Sequence, residues 1–185
     1  MAKELNEMSN EELWKLFPII LTDYDPEWPS VYAKQKAILK NLIGKNICRI
    51  RHIGSTSVPG LKAKPTIDIL MEINETTDIT EMSEKLKNNG WILNDRPQQH
   101  APHLLFLKGY TLDGFENEVF HLHVRYVGDW DEIHFRNSLV NHSETAKEYA
   151  ELKSVLANKF RNDRDGYTEA KTDFIKKITA TARGK

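Results

Sequence analysis

The chain has 185 residues, 39% of them hydrophobic, which is enough to bury the core of one domain and short for two. Its 26 Lys and Arg stand against 27 Asp and Glu, a formal net charge of −1, so no global field draws it to nucleic acid or to an anionic membrane and a duplex binder is disfavoured. The single cysteine, Cys48, excludes an internal disulfide and a cysteine-cluster zinc site; with no signal-like start and no uncharged run long enough for a bilayer, a cytoplasmic protein is expected.

Ser9, followed three residues on by Glu12, is a helix-start pattern and predicts a helical arm within residues 1–17, ended by Pro18. Residues 19–25, IILTDYD, read as a strand. Pro29 then suits the first turn of a helix whose apolar spacing (Val31, Ile38, Leu39, Leu42, Ile43) runs to Gly44. Strands follow at 46–53 and 66–74, a helix at 78–89 closed by Gly90, and strands at 91–94, 103–108 and 118–127. Beyond Gly128 come two helical stripes: Tyr149, Leu152, Leu156 and Phe160 in one helix, Tyr167, Ala170, Phe174 and Ile178 in the next. Residues 18–185 are therefore expected to form one α/β domain, a mixed or antiparallel sheet flanked by helices that gather at the C-terminus.

Side chains alternate across a strand, and two strands carry a polar face. In TIDILMEI, Ile67, Ile69, Met71 and Ile73 share the packed side, while Asp68, Leu70 and Glu72 share the other. In EVFHLHVRY, Phe120, Leu122, Val124 and Tyr126 point inward and Val119, His121, His123 and Arg125 outward. If the strands are neighbours, Asp68, His121, His123 and Arg125 converge on one hollow. One carboxylate with two imidazoles is a ligand set for a divalent ion, Mg, Mn or Zn, the imidazoles suiting Zn or Mn better than Mg. Each residue also has a plainer reading: Asp68 as a turn cap or a lysine's partner, the histidines as a surface ladder, Arg125 as an ion-pair partner of Asp68 rather than a phosphate donor. His52, on the face of Cys48 and Ile50, reads as a satisfied core histidine; His100, His103, His134 and His142 suggest no partner.

The loop GSTSVPGLKAKP enters the aspartate strand. Glycines let backbone amides approach a phosphate, hydroxyls donate to it and lysines neutralise it, so Gly54, Ser55, Thr56, Ser57, Lys62 and Lys64 are suitable types. It is not a P-loop, because five residues rather than four separate Gly54 from Gly60, Leu61 precedes Lys62, and Ala63 replaces the metal-binding hydroxyl. The competing reading is a tight connection shaped by its glycines and prolines.

These segments carry a resemblance. YDPEWP at 24–29, HIGSTSVPGLKAKPTIDI at 52–69, FHLHV at 120–124, FRNSL at 135–139 and the tail runs AKEYAELK and YTEAKTDFI resemble the GrpB family of small bacterial proteins, within the polymerase-β-like nucleotidyltransferase superfamily. The resemblance implies a Gly-Ser pair that holds a triphosphate, matched by Gly54 and Ser55, and a strand whose two acids hold two Mg ions. Asp68 matches the first acid, but Leu70 stands at the second. Glu72 lies roughly 13 Å along a strand, whereas paired catalytic metals sit about 3.5–4 Å apart. A single ion on Asp68, His121 and His123 is the expected alternative. Lys153 and Lys171 match family lysines and belong either to the cleft or to the surface, snorkelling from their helices. Three functions are consistent with this set: metal-dependent nucleotidyl or phosphoryl transfer from a nucleoside triphosphate, a catalytically silent module for a nucleotide or phosphorylated metabolite, and metal-dependent phosphate hydrolysis. The oligomeric state is open.

Overall fold

The computed structural model describes residues 4–94 and 102–184; His100 lies outside them. In chain order the elements are α1 (Asn10–Leu16), α2 (Trp28–Ile43), β1 (Ile47–Ile53), β2 (Thr66–Ile73), α3 (Ile79–Lys87), β3 (Ile92–Leu93), β4 (Leu104–Thr111), β5 (Gly114–Tyr126), α4 (Asp131–Asn141), α5 (Ser143–Lys159), α6 (Arg164–Glu169) and α7 (Thr172–Ala182). The strands form one five-stranded mixed sheet in the order β1-β2-β5-β4-β3. Only β2 and β5 pair in parallel; the other neighbours are antiparallel.

Local chemistry sets the boundaries. Ser9 and Glu12 form the reciprocal cap of α1, Ser9 Oγ accepting from the Glu12 N–H and the Glu12 carboxylate from the Ser9 N–H. Pro29 sits in the first turn of α2, where a missing N–H costs nothing, and Asp78 caps α3 by accepting from the Glu81 N–H.

One face of the sheet is the main core. Ile67, Ile69, Met71 and Ile73 of β2 and Phe120, Leu122 and Val124 of β5 pack with Trp28, Leu39 and Ile43 of α2 and Met82 and Leu86 of α3. Each such side chain contributes about 1.5–3 kcal/mol of burial. The C-terminal helices do not join that core. They pack on the connecting segments instead, Leu139 and Tyr149 with Val58 and Leu61, and Leu156 and Tyr167 with Ile19. Arg183, just past α7, donates to Asp131 at 2.6 Å and to the Asp129 carbonyl at 2.8 Å, which pins the last helix back to the start of α4. Helices held this way bridge over the second face of the sheet and leave space beneath.

Three local expectations are corrected. Residues 19–25 form no strand, only a bridge between Thr22 and Ala63, because Ile19 is drawn into the C-terminal cluster and the segment runs beside an irregular loop. The stripe from Tyr167 to Ile178 is not one helix. It breaks between α6 and α7 because Tyr167 packs with Ile19 and Leu156, while Phe174 stacks on Tyr149 in the neighbouring cluster. Phe160 caps α5 rather than continuing it.

Candidate functional site

Alternation and register together build the floor of the cleft. In the parallel β2–β5 pair, Asp68 lies opposite His121, Leu70 opposite His123 and Glu72 opposite Arg125. Asp68 Oδ1 is 3.3 Å from His121 Nδ1 and 3.4 Å from His123 Nε2, all three side chains half-buried. One ligand atom from each lies within 4.8 Å of the others, the spacing of a set that closes on a single ion. Burial opposes the charge on Asp68, but hydrogen bonds and charge from His121 and His123 outweigh it and hold the carboxyl well below its ordinary range. Burial pushes His121 the other way, toward the neutral imidazole that metals require, with Asp68 partly countering.

A bulge supplies the next shell. Leu105 and Leu107 of β4 face the cleft, so strict alternation would put Gly109 there and Tyr110 on the far side. The register shifts between Lys108 and Tyr110, at a Gly109 whose φ is 88° and whose Cβ would lie 2.3 Å from the Glu118 carbonyl. The shift turns Tyr110 into the cleft, its hydroxyl 2.7 Å from His121 Nε2. Arg164 donates to that hydroxyl at 3.2 Å and to the Phe17 carbonyl at 3.1 Å. Tyr110 thus holds His121 at Nε2 and orients the ring with Nδ1 toward Asp68, the division of roles a metal-binding imidazole needs.

Above the floor the walls are cationic. Lys64, Lys153, Lys171 and Arg164 line a cavity of about 1040 Å³ with Ser55, Asp68 and both histidines. Burial pushes Lys64 and Lys153 down to about 7 from 10.5, and Lys171 to about 8. Neighbouring cations add to this: Arg164 and Lys171 depress Lys64, and Lys171 depresses Lys153. Among the described residues none of the three lysines pairs with a carboxylate within 4.0 Å. Aromatic faces offset part of the desolvation, Lys171 Nζ lying 4.1 Å and Lys64 Nζ 5.6 Å from the Tyr167 ring centre. Part of the cavity lining is apolar, supplied by Leu13 and Trp14 of α1 and by Ile92, Leu105 and Leu107 of the sheet.

The loop residues divide. Gly54, at φ 69°, runs so close to Asp68 that a Cβ would sit 2.3 Å from Oδ2, and Ser55 and Lys64 also face the cavity. Thr56 borders the cavity, but its hydroxyl is spent on the Thr66 carbonyl and on His52. Ser57 and Lys62 lie off the cavity wall: Ser57 Oγ donates to the Gly54 carbonyl at 2.6 Å, and Lys62 pairs with Asp23 at 3.2 Å. Arg125 borders the cleft without reaching Asp68; it donates to the Leu104 and Val124 carbonyls and faces Glu132 at 3.6 Å. Among the cavity residues that sequence reading did not assign to the site are Tyr110 and Arg164, together with Tyr149 and Tyr167, which it took as packing residues of helical stripes; only the position of Gly109 hinted at the first.

Comparison with known proteins places the chain in a family. The GrpB family model matches residues 18–181, and the chain belongs to the GrpB family. The glutamate-rich protein GrpB of Alkalihalophilus pseudofirmus is 34% identical over 164 residues, covering 86% of this chain and 93% of that protein. The crystal structure of the conserved protein GrpB from Enterococcus faecalis aligns with a TM-score of 0.78 at 29% identity, over 88% of this chain and 96% of that one. A dephospho-CoA kinase of Mycolicibacterium paratuberculosis is 34% identical over 77 residues, 40% of this chain and 19% of the kinase.

Proposed function

We propose that the cleft binds a nucleotide or related phosphorylated metabolite, its phosphates held by Lys64, Lys171, Arg164 and the Gly54–Ser55 turn, with one divalent ion on Asp68, His121 and His123. The observation that carries this reading is the ring of partly buried cations, without carboxylate partners among the described residues, beside a carboxylate flanked by two imidazoles. Cations withdrawn from water without carboxylate partners cost stability, which an anionic guest offsets. The resemblance to nucleotidyltransferases and the short match to a dephospho-CoA kinase support the nucleotide class. Nucleotidyl or phosphoryl transfer then follows if the ion polarises the reacting phosphate while the lysines and Arg164 neutralise the developing charge.

A silent binding module is the second reading, favoured by one feature. Leu70 stands where a second metal acid is expected and is fully buried, and Glu72 is committed to Arg49 and the Gly128 N–H. Calorimetric titration with Mn²⁺ and then with a nucleoside triphosphate separates the two. Metal binding followed by tighter nucleotide binding and turnover supports transfer. Nucleotide binding that ignores the metal, without turnover, selects the silent module, and no binding of either ligand overturns both.

A further inference from the structure

We propose that Ser55 is a covalent nucleophile and Lys153 its general base, so that a phosphoryl group passes through a Ser55 ester. Lys153 Nζ lies 3.0 Å from Ser55 Oγ, and its other polar partner is the Lys62 carbonyl. A neutral amine satisfies both partners: it donates one N–H to the carbonyl and receives the serine O–H on its lone pair. The lysine is 2% exposed, projects from α5 over the Tyr149 ring with Nζ 4.7 Å from its centre, and has no carboxylate partner among the described residues. Charged and titratable groups around it are Lys171 at the start of α7, Lys64 before β2, and Tyr149, whose own side chain hydrogen-bonds to Ser55. All of them oppose a second positive charge or are neutral, and Lys153 accordingly sits at about 7. Ser55 opens a single turn directly after Gly54, against Asp68, so its hydroxyl faces the same hollow as Lys64 and Arg164. A buried lysine amine in contact with an exposed-to-cavity serine is the arrangement that activates a hydroxyl.

The step balances without an oxidant or a further cofactor. Lys153 Nζ takes the hydroxyl proton as Oγ forms a bond to phosphorus. The phosphorus–oxygen bond to the leaving group breaks, its electron pair stays on the departing oxygen, and the lysine ammonium returns the proton there. Water or an acceptor hydroxyl, deprotonated by Lys153, then attacks phosphorus, and Oγ departs and regains a proton.

This inference uses the proposed phosphate cleft but needs no metal, so the test is run on full-length protein treated with a chelator. An alkyl fluorophosphonate serves as the probe, because it phosphonylates activated serines with loss of fluoride. The expected result is a single label mapped by peptide mass spectrometry to Ser55, absent in Ser55→Ala, with a rate that rises with pH and levels off above about 7. Lys153→Met, or Lys153→Arg if the methionine variant does not fold, is expected to slow labelling by at least about 100-fold, the span of a general base. A wild-type protein left unlabelled, a rate that keeps rising with hydroxide through pH 9, or a folded Lys153 variant labelled at the wild-type rate would each overturn the assignment. None of those outcomes bears on metal binding at Asp68.

Discussion

Asp68 and Glu72 leave the same strand on the same face, yet they occupy different worlds. At the Asp68 end the sheet opens: the carboxylate meets two imidazoles, a glycine turn and a cavity walled by cations. At the Glu72 end it is sealed. Arg49 of β1 donates to Glu72 at 2.5 Å, the Gly128 N–H joins at 3.1 Å, and the side chain has no exposure left. Between them Leu70 is equally buried. The contrast teaches that parity sets which face an acid takes, while the elements packed above decide whether that acid is a ligand or a structural tie. Here the C-terminal helices stand off at one end, and β1 with the turn at Gly128 closes the other.

Substitutions at the two ends of β2 test this contrast. The largest effect is expected for Asp68→Asn, which keeps the shape and removes the charged ligand. Its Mn²⁺ affinity should fall by more than about 100-fold in calorimetry, beyond the loss usual for supporting residues. Glu72→Ala should leave that affinity unchanged. It should instead lower unfolding stability by about 2–4 kcal/mol in urea titrations, because Arg49 and the Gly128 amide lose their acceptor. Gly54→Ala couples the open end to its turn: φ 69° disfavours a side chain, and the new methyl would collide with Asp68. About 1–2 kcal/mol of destabilisation and a metal affinity weakened by about tenfold are expected.

The smallest effects are graded ones, with pH. Lys64, Lys153 and Lys171 titrate at about 7, 7 and 8 in the folded chain against 10.5 when unfolded. Between these values the folded state binds fewer protons, so stability of the ligand-free protein should rise from pH 7 toward 10 and be lost as pH falls back through about 7. Anion binding should run oppositely. A phosphate guest prefers protonated Lys64 and Lys171, so pyrophosphate affinity should decline above pH 7, by up to about tenfold per pH unit for each proton taken up. Titrations at pH 6, 7, 8 and 9 check both signs, and a flat profile would mean that the lysines do not meet the anion.

Much of this was legible in the chain. The alternation in TIDILMEI and EVFHLHVRY placed Asp68, His121 and His123 on one side, and the β2–β5 pairing brought them together as expected for neighbouring strands. The mixed sheet with C-terminal helices followed from the element order. What escaped has physical causes. A bulge changes parity without changing composition, and Tyr110 lies beyond the strand expected at 103–108, so nothing placed it on the cleft face. Loops have no period, so nothing in STSVPGLKAK told Ser55 and Lys64, which face the cavity, from Ser57 and Lys62, which bond elsewhere. Arg164 sits at the first residue of a one-and-a-half-turn helix, where no stripe exists to orient it. The break before α7 was hidden because Tyr167, Ala170 and Phe174 keep helical spacing across it.

A single divalent ion at the open end of β2 is the proposal on which metal-assisted transfer in the cleft depends. Crystals grown at neutral pH and soaked in Mn²⁺ would test it by anomalous scattering. The expected result is a peak bonded to the Asp68 carboxylate, His121 Nδ1 and His123 Nε2. A peak at Glu72, or a triad left vacant while Mn²⁺ appears elsewhere on the protein, would contradict it.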